Sequence, residues 1–488
     1  MAHLQPLLRA SLRFRSIATP RASFLWRRNY STPPEKSVNT TSEQAAPASP
    51  TPETTTFEDK GIERGPDSIK ITNSKGYTLE WTHLRLRDSC ACPLCVDKHS
   101  KQRNFRMSDI PLDIKLKTIK VEGKNLIVTW ENDIPGFSPS HFSRFGLAYL
   151  QTPVRNSHQA TTGRKRPRLL WGKEVMNTVK HWISYEDYMH NDTRFTQAMR
   201  NLASAGMIFV KDIPDSREMV EKVATRMGPL RNTFYGPTWD VRQVPKAKNV
   251  AYTSQFLGFH MDLMYMNEPP GYQLLHCLRN SCDGGESLFA DTFKIAHEML
   301  HKYPEYFLSL TQTHLNYGYS HKENNYANTW PVFEVGFASS RGSPLSHVNY
   351  SPPFQAPLIN PGGLNTKTRK QNVELSMKAL KHFADSLECE ENIFELKLKP
   401  GECVIFENRR IAHARRQFNT TSGERWLAGA YVDEDAVLSR FRVLTKAYRK
   451  EWSLSGPAAN EYLNCVAAER GESLDRSIWT SREALGCE

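Results

Sequence analysis

An imidazole and a carboxylate stand two residues apart, at His260 and Asp262, inside the apolar stretch Gly258–Tyr265. Side chains alternate between the faces of a β-strand, so on a strand both groups would point the same way and could hold one metal ion. A second His-x-Asp, His190-Asn191-Asp192, lies in a polar stretch, and we predict that it is solvated surface. A structural histidine beside a turn aspartate would give the same pattern, so the rest of the chain must decide.

Two more residues, His413 and Arg425, make the pattern more specific. His413 follows an apolar hairpin and can supply a third ligand. Two histidines and one carboxylate on one face of an octahedron leave three positions open, which is the arrangement of non-haem Fe(II) oxygenases that bind a 2-oxo acid and O₂. Arg425 follows on an apparent strand, Arg425–Tyr431, and its planar guanidinium suits the far carboxylate of a dicarboxylate co-substrate.

A second metal-binding pattern lies near the start of the folded chain, at Cys90, Cys92 and Cys95. Three thiolates this close cannot pair as disulfides, whereas Zn²⁺ takes a tetrahedron of Cys and His and can fold a small domain. His141 is the preferred fourth ligand over His83 and His99, and the alternative is three reduced surface cysteines. Nine cysteines, an odd number without a secretory signal, indicate a reducing compartment.

The net charge of +12 is unevenly distributed, because residues 1–30 hold six Arg and no acidic residue. Such a segment is typical of a mitochondrial presequence, which predicts a matrix protein, and the alternative is a disordered basic tail. We therefore predict no nucleic-acid partner. No apolar run approaches the ~18 residues that span a bilayer, so we predict no membrane association either.

Composition and periodicity divide the rest of the chain. Residues 31–68, rich in Ser, Thr, Pro and Glu, predict a disordered linker. Short β patterns predict a small zinc-binding β domain over 69–152, and the basic stretch in 153–180 an inserted linker. A larger catalytic domain over 181–454 and a C-terminal tail over 455–488 complete the chain. Many strands and few helices indicate a mainly β fold with flanking helices (α+β), a sandwich or barrel.

Several elements can be predicted with boundaries. Turn signals place hairpins at Ile69–Ile71 with Tyr77–Trp81, at Ile119–Val121 with Leu126–Trp130, and at Phe394–Leu398 with Cys403–Phe406. Helices are predicted at Arg194–Ala205, with Thr193 as N-cap and Gly206 at its end, at Ser216–Met227, near Phe293–His301 and at Asn372–Leu387. Met207–Lys211 is predicted to be a strand.

These motifs resemble the gamma-butyrobetaine dioxygenase family. The resemblance spans roughly Ile69–Arg442 and is carried by the segments Phe234–Trp239, Asn249–Thr253, Phe259–Asp262, Pro270–Cys277 and Gly429–Tyr431, with the cysteine motif as the family's N-terminal zinc domain. It implies a double-stranded β-helix, or jelly roll, behind a small zinc domain, usually in a homodimer. It also implies Fe(II), 2-oxoglutarate and structural Zn(II), and we expect ascorbate to support activity.

The resemblance also implies residue roles. The Fe(II) ligands fall on His260, Asp262 and His413, the 2-oxoglutarate anchor on Arg425, and the zinc ligands on Cys90, Cys92, Cys95 and His141. The aromatic cage for a trimethylammonium group falls on Tyr235, Trp239, Tyr252 and Tyr431, and Asn249 matches a contact to the substrate carboxylate. The chain departs from the family at two places. The family has an Asn-rich strand that completes the carboxylate pocket at the position of Val348–Phe354, and it commonly has an aromatic or polar residue at the position of Leu263.

The expected function is hydroxylation of gamma-butyrobetaine to L-carnitine. The first alternative is the same chemistry on trimethyllysine, whose α-amino group would need an acidic or carbonyl partner, or on another trimethylammonium or small carboxylate substrate. The second alternative is a non-catalytic binding protein on the same fold with zinc as its only metal. The intact triad and Arg425 favour an enzyme.

Overall fold

The structure is a computed structural model that describes residues 61–74, 76–151, 168–242, 253–335, 345–357 and 366–452, with only the backbone for 366–370. The chain divides into two compact units, Met1–Pro153 and Val154–Glu488. Within the described ranges, no helix is both long and apolar enough to cross a membrane.

The first unit contains two antiparallel three-stranded sheets, with the orders β1-β2-β3 and β4-β5-β6. Its elements are β1 (Ile62–Arg64), β2 (Ser68–Thr72), β3 (Thr78–Thr82), α1 (His83–Asp88), β4 (Leu116–Glu122), β5 (Asn125–Trp130), β6 (Phe142–Gly146) and α2 (Leu147–Leu150). Both hairpins predicted for this region are confirmed, because β2 pairs with β3 and β4 pairs with β5. The linker predicted for 31–68 was drawn too long, since Ile62 is buried and β1 pairs with β2.

The second unit is built on two larger sheets, of six strands in the order β7-β8-β19-β11-β21-β9 and of four strands in the order β10-β20-β12-β18. The strands are β7 (Trp182–Ser184), β8 (Met207–Lys211), β9 (Thr238–Arg242), β10 (Leu257–His260), β11 (Tyr272–Asn280), β12 (Ser287–Asp291), β13 (His314–His321), β14 (Asn324–Pro331), β15 (Phe333–Val335), β16 (Leu345–Val348), β17 (Gln355–Ala356), β18 (Phe394–Leu396), β19 (Cys403–Glu407), β20 (Ile411–Arg415) and β21 (Arg425–Val432). Strands β13, β14 and β17 form a third sheet, and β15 pairs with β16.

Consecutive strands alternate between the two large sheets. β10, β12, β18 and β20 lie in the four-stranded sheet, whereas β11, β19 and β21 lie in the six-stranded sheet. This alternation is that of a jelly roll. It also overturns the hairpin predicted at Phe394–Phe406: β18 pairs with β12, and β19 pairs with β8 and β11. Leu398, between the two strands, is buried in the core.

Helices pack on the outside of these sheets. They are α3 (Lys173–Val179), α4 (Tyr185–His190), α5 (Asp192–Ala205), α6 (Met219–Met227), α7 (Thr292–Lys302), α8 (Pro304–Gln312), α9 (Thr366–Leu387), α10 (Glu434–Ala447) and α11 (Arg449–Trp452). The predicted strand Met207–Lys211 and the end of α5 at Gly206 are confirmed, the glycine having φ +77°. The N-cap of α5 is Asn191 rather than Thr193, since Asn191 Oδ1 accepts from Arg194 N at 3.1 Å.

Other boundaries differ by a few residues. Helix α6 begins at Met219 rather than Ser216, because Ser216 accepts the Met219 N–H in a turn. Helix α9 starts six residues before the predicted Asn372. The basic linker predicted for 153–180 ends earlier, since Leu169 and Trp171 are buried in the second unit and α3 follows them.

Candidate active site

The structure brings the predicted triad together at one end of the four-stranded sheet. His260 is the last residue of β10 and lies opposite His413 on β20, with ring centroids 4.2 Å apart. The Oδ1 atom of Asp262 is 3.4 Å from His260 Nε2 and 3.9 Å from His413 Nε2. One ligand atom from each residue falls within 4.8 Å of the others. The second His-x-Asp, at His190, is exposed at the end of α4, as predicted.

Asp262 reaches this position through a turn and not through strand alternation. Strand β10 ends at His260, and Leu263 has a φ of +59°, which a non-glycine residue rarely adopts. Asn408, fully buried between β19 and β20, holds the turn: its Oδ1 accepts from Asp262 N at 2.9 Å and its Nδ2 donates to Asp262 O at 3.0 Å. The expectation that both ligands share one strand was therefore wrong, although their proximity is confirmed.

The protonation states of the triad suit a divalent cation. Burial and the neighbouring His260 lower the pKa of His413 to about 3, so its imidazole is neutral. His260 Nδ1 donates to Gly258 O at 2.9 Å, which leaves its Nε2 lone pair directed toward Asp262. Burial alone would raise the pKa of Asp262, but the two histidines and the Tyr431 hydroxyl, which donates to Oδ2 at 2.6 Å, hold it well below its usual value.

A cavity opens beside the triad, between the two large sheets. Its described lining is Tyr235, Trp239, Val241, Leu257, His260, Asp262, Leu263, Gln273, Leu275, Ser287, Phe289, Phe354, His413, Ala414, Arg415, Arg425, Leu427 and Tyr431. Apart from the triad, the wall is mostly apolar. The polar groups are few, which is typical of a small-molecule site.

Two arginines line the cavity side by side. Arg425, at the start of β21, and Arg415, at the end of β20, have their guanidinium carbons 5.7 and 5.0 Å from the Phe418 ring centroid. Burial lowers the pKa of Arg425 to about 10, so it remains charged at neutral pH. Among the described residues Arg425 makes no ion pair, and its Nε donates to Gly285 O at 3.4 Å. A buried guanidinium without a carboxylate partner is suited to bind an anion.

Aromatic rings form the wall beside Asp262. Trp239 on β9 stacks on Tyr431 with ring centroids 3.9 Å apart and an interplanar angle of 27°. The indole lies directly on Gly429, because a Cβ there would meet Trp239 Nε1 at 2.7 Å. Tyr235 also lines the cavity. Two predicted substrate residues, Asn249 and Tyr252, lie outside the described residues.

Gln273, Arg415 and Phe354 are among the lining residues that sequence reasoning missed. Gln273 interrupts an otherwise apolar stretch of β11, and Arg415 follows His413 by two residues, so both carried a usable signal. Asn349, in the segment that departs from the family, does not line the cavity. Its Nδ2 donates to Pro331 O at 2.8 Å, and its Oδ1 accepts from Arg409.

The cysteine motif forms a separate cluster in the first unit. His141 Nε2 lies 3.7, 3.3 and 3.4 Å from the Sγ atoms of Cys90, Cys92 and Cys95 respectively. Tetrahedral zinc, with bonds of about 2.3 Å to sulfur and 2.0 Å to nitrogen, would place these atoms about 3.5 Å apart. The cysteines form no disulfide. The four residues therefore fit Zn²⁺ in donor type and in spacing.

Two residues beside this cluster, buried Arg87 and partly buried Asp133, support it. Asp133 Oδ2 accepts from His141 Nδ1 at 2.5 Å, and its Oδ1 accepts from Arg87 Nε at 2.5 Å. Arg87, fully buried, also donates from Nη1 to Cys95 Sγ at 3.3 Å. Hydrogen bonds of this kind fix the orientation of a metal-binding histidine and stabilise a thiolate.

Known proteins share both halves of this architecture. Residues 166–431 match the family described as taurine catabolism dioxygenase TauD, TfdA family, and residues 62–140 match the gamma-butyrobetaine hydroxylase-like N-terminal family. The chain is 32% identical over 384 residues to dioxygenase str8 of Strobilurus tenacellus, covering 75% of this chain and 85% of that protein.

Two further relatives from Homo sapiens match over similar lengths. Gamma-butyrobetaine dioxygenase is 28% identical over 377 residues, covering 75% of this chain and 91% of that protein. Mitochondrial trimethyllysine dioxygenase is 27% identical over 382 residues, covering 77% and 85%.

The fold and the matches place the chain among the Fe(II)- and 2-oxoglutarate-dependent dioxygenases, and the family implies a small-molecule substrate. The chain belongs to the taurine catabolism dioxygenase TauD, TfdA family and resembles its gamma-butyrobetaine and trimethyllysine dioxygenases.

Proposed function

We propose that this protein hydroxylates gamma-butyrobetaine to L-carnitine, with Fe(II), 2-oxoglutarate and O₂. The observation that carries the proposal is the stacked pair Trp239 and Tyr431, whose tyrosine hydroxyl contacts the triad residue Asp262. A trimethylammonium group cannot donate hydrogen bonds, so aromatic faces are what can hold it. These faces lie in the same cavity as the triad and Arg425.

The residues of the site have separate roles. His260, Asp262 and His413 would hold iron, since two imidazoles and one carboxylate are the donors that Fe(II) takes. Iron, when bound, supplies the activation of O₂ that C–H hydroxylation needs. Arg425 would bind the far carboxylate of 2-oxoglutarate through its guanidinium. The apolar wall excludes bulk water and strengthens this ion pair.

Selectivity follows from positioning. Trp239, Tyr431 and Tyr235, with Tyr252 as a further proposed member, hold the cation of the substrate. Holding one end in this way limits which carbon faces the triad, so the bond that reacts is set by geometry. Asn249 is proposed to contact the carboxylate.

Trimethyllysine is the second candidate substrate. It is favoured by the near-equal identity to the two relatives, 28% and 27%. Its amino group would need a carbonyl or acidic partner, which can be tested by comparing turnover of the two substrates.

Three further features belong to the same proposal. The cluster of Cys90, Cys92, Cys95 and His141 binds structural zinc, as its spacing supports. Residues 1–30 act as a mitochondrial presequence that directs the protein to the matrix, in keeping with the mitochondrial relative. The protein works as a homodimer, and ascorbate supports its activity.

The test is an aerobic assay of succinate and hydroxylated product with gamma-butyrobetaine and trimethyllysine in parallel. His260→Ala serves as the inactive variant and His190→Ala, at the exposed second motif, as the matched control. Succinate coupled to L-carnitine from gamma-butyrobetaine would support the proposal. Succinate without either hydroxylated product would move the enzyme to another substrate, and binding without any succinate would favour a non-catalytic protein.

A further inference from the structure

The described lining of the cavity includes a polar side chain that the proposed mechanism does not use, Gln273. We propose that the Gln273 amide donates a hydrogen bond to the carboxylate of the organic substrate and so determines specificity. This inference rests on the proposed function, because it assumes a substrate with a cation at one end and a carboxylate at the other.

Gln273 is built into the wall of the site. It lies on β11, in the centre of the six-stranded sheet, paired in register with Tyr431 on one side and Phe406 on the other. Only 2% of the residue is exposed. Its Oε1 is fully buried and has no hydrogen-bonding partner within the described ranges. Its Nε2 makes no hydrogen bond there either, and this N–H donor is the atom that a carboxylate in the cavity could accept from. Buried polar groups are nearly always hydrogen-bonded, so an amide left without a partner beside a cavity indicates a ligand.

The other polar groups of the wall are already committed. Tyr431 donates its hydroxyl proton to Asp262, and Arg425 and Arg415 lie together beside Phe418, where 2-oxoglutarate would bind. Ser287 pairs in register with Arg415 and belongs to that end. Gln273 is therefore the described donor available near the triad for a second carboxylate.

The segment that departs from the family supports this assignment. The resemblance implies that an Asn-rich strand completes the carboxylate pocket at the position of Val348–Phe354, where this chain departs from the family. The Asn349 amide in this segment is occupied by Pro331 O and Arg409. Its side chain does not line the cavity. Gln273 would take over the contact that this segment does not make.

The strand order gives the substrate a direction. Across the sheet β9, β21 and β11 are neighbours, and they carry Trp239, Tyr431 and Gln273 respectively. Trp239 and Gln273 thus flank Tyr431, on strands about 10 Å apart. A substrate lying across this sheet would place its cation against Trp239 and Tyr431 and its carboxylate on Gln273, with its middle carbons between them, next to Asp262.

The test pairs two variants with two ligands. Gln273→Leu removes the amide at similar size, and Gln273→Glu replaces the donor with an anion. KM is measured for gamma-butyrobetaine and for butyltrimethylammonium, which lacks the carboxylate, and the KM for 2-oxoglutarate is measured from succinate release alone.

We expect both variants to raise the KM for gamma-butyrobetaine by roughly 10- to 100-fold, the range for a lost hydrogen bond to a charged group. Gln273→Glu should raise the KM for gamma-butyrobetaine more than Gln273→Leu does. In Gln273→Leu the KM for butyltrimethylammonium should change less than threefold. The KM for 2-oxoglutarate should stay the same in both variants. A raised KM for 2-oxoglutarate, or equal losses for both ligands, would overturn the assignment.

Stability provides an arm that needs no substrate. An amide that has no partner in the ligand-free protein does not stabilise that form. Gln273→Leu should therefore melt at the same temperature as the parent protein or at a higher one. A lower melting temperature would show that the amide serves the fold and would overturn the inference. If the parent protein turns over no trimethylammonium compound, the proposed function fails. The melting temperature and the KM for 2-oxoglutarate of Gln273→Leu then still test the role of Gln273.

Discussion

Asn408 and Asp262 are joined by two opposite hydrogen bonds: the Asn408 amide accepts from the Asp262 N–H at 2.9 Å and donates to the Asp262 carbonyl at 3.0 Å. Asn408 stands in the turn that leads into β20, the strand of His413. One side chain thus ties the turn carrying one triad residue to the strand carrying another. It also holds the chain next to Leu263, whose φ of +59° is costly for a branched side chain.

Asn408→Asp should weaken metal binding by roughly 10- to 100-fold, the usual effect of losing a residue that orients a ligand. The carboxylate can still accept from Asp262 N but cannot donate to Asp262 O or Pro270 O. Mn²⁺ affinity, measured by titration calorimetry, reports this without turnover. Asn316→Ala, at a buried asparagine remote from the triad, is the control, and an equal loss in both variants would mean a general folding defect.

Arg425→Met should raise the KM for 2-oxoglutarate about 100-fold or more, because a bound carboxylate would lose its buried cationic partner. Arg416→Met is the matched control, since Arg416 is exposed and pairs with Glu395 on the surface. Succinate release without organic substrate gives the KM directly. An unchanged KM for 2-oxoglutarate would indicate that Arg415, and not Arg425, binds the co-substrate.

Gly429→Ala should impair substrate binding and leave 2-oxoglutarate binding intact. A methyl group at Gly429 would overlap the indole of Trp239 and push it off the sheet. We expect the KM for gamma-butyrobetaine to rise at least tenfold, a loss of about 1.4 kcal/mol in binding. Gly318→Ala, where the nearest atoms are 3.9 Å or further away, is the control. Equal KM values for the Gly429 variant and the parent protein would remove Trp239 from the cage.

Asp133→Asn should speed zinc loss from the first unit. The Asp133 carboxylate orients His141 and pairs with Arg87. Its removal would therefore free the His141 imidazole to rotate and leave the buried Arg87 guanidinium without its partner. We expect a 10- to 100-fold fall in zinc affinity, measured with a chromogenic chelator. Asp113→Asn, at an exposed aspartate bonded to Asn132, should match the parent protein. Zinc retention equal to the parent would contradict the supporting role.

The partly buried ion pair of Glu334 with Arg409 predicts a pH effect on stability. Burial alone would raise the pKa of Glu334, but His347 and Arg409 lower it to about 2. A lowered folded-state pKa means that the stabilisation is present above the ordinary pKa of 4.5 and is lost as pH falls toward 2. Glu334→Gln should therefore flatten the fall in melting temperature between pH 5 and about 2. Glu395→Gln, at an exposed pair, should leave that slope unchanged.

How far the sequence predicts this molecule depends on the range of the interaction. Local signals were reliable: glycines at turns located both hairpins of the first unit, and the end of α5 at Gly206 follows from its left-handed backbone. Pairing between distant strands was not predictable from adjacency. Phe394–Leu396 and Cys403–Glu407 look like a hairpin, yet each joins a different sheet.

The candidate site shows the same division. His260, Asp262, His413 and Arg425 follow from residue type and spacing, since few patterns combine these groups in that order. Asn408 does not, because a buried amide has no spacing rule and its role depends on what the fold places opposite it. Gln273 stands out as a polar residue in β11, but only the structure shows that it lines the cavity. Asp133 is similar: only the structure brings its carboxylate to His141.

The most direct test of the account is an anaerobic crystal structure with Mn²⁺ in place of iron, 2-oxoglutarate and gamma-butyrobetaine. We predict an anomalous peak bound by His260, Asp262 and His413, a 2-oxoglutarate carboxylate on Arg425, and the trimethylammonium group against Trp239. A metal bound elsewhere, or a substrate cation away from the aromatic wall, would contradict the account.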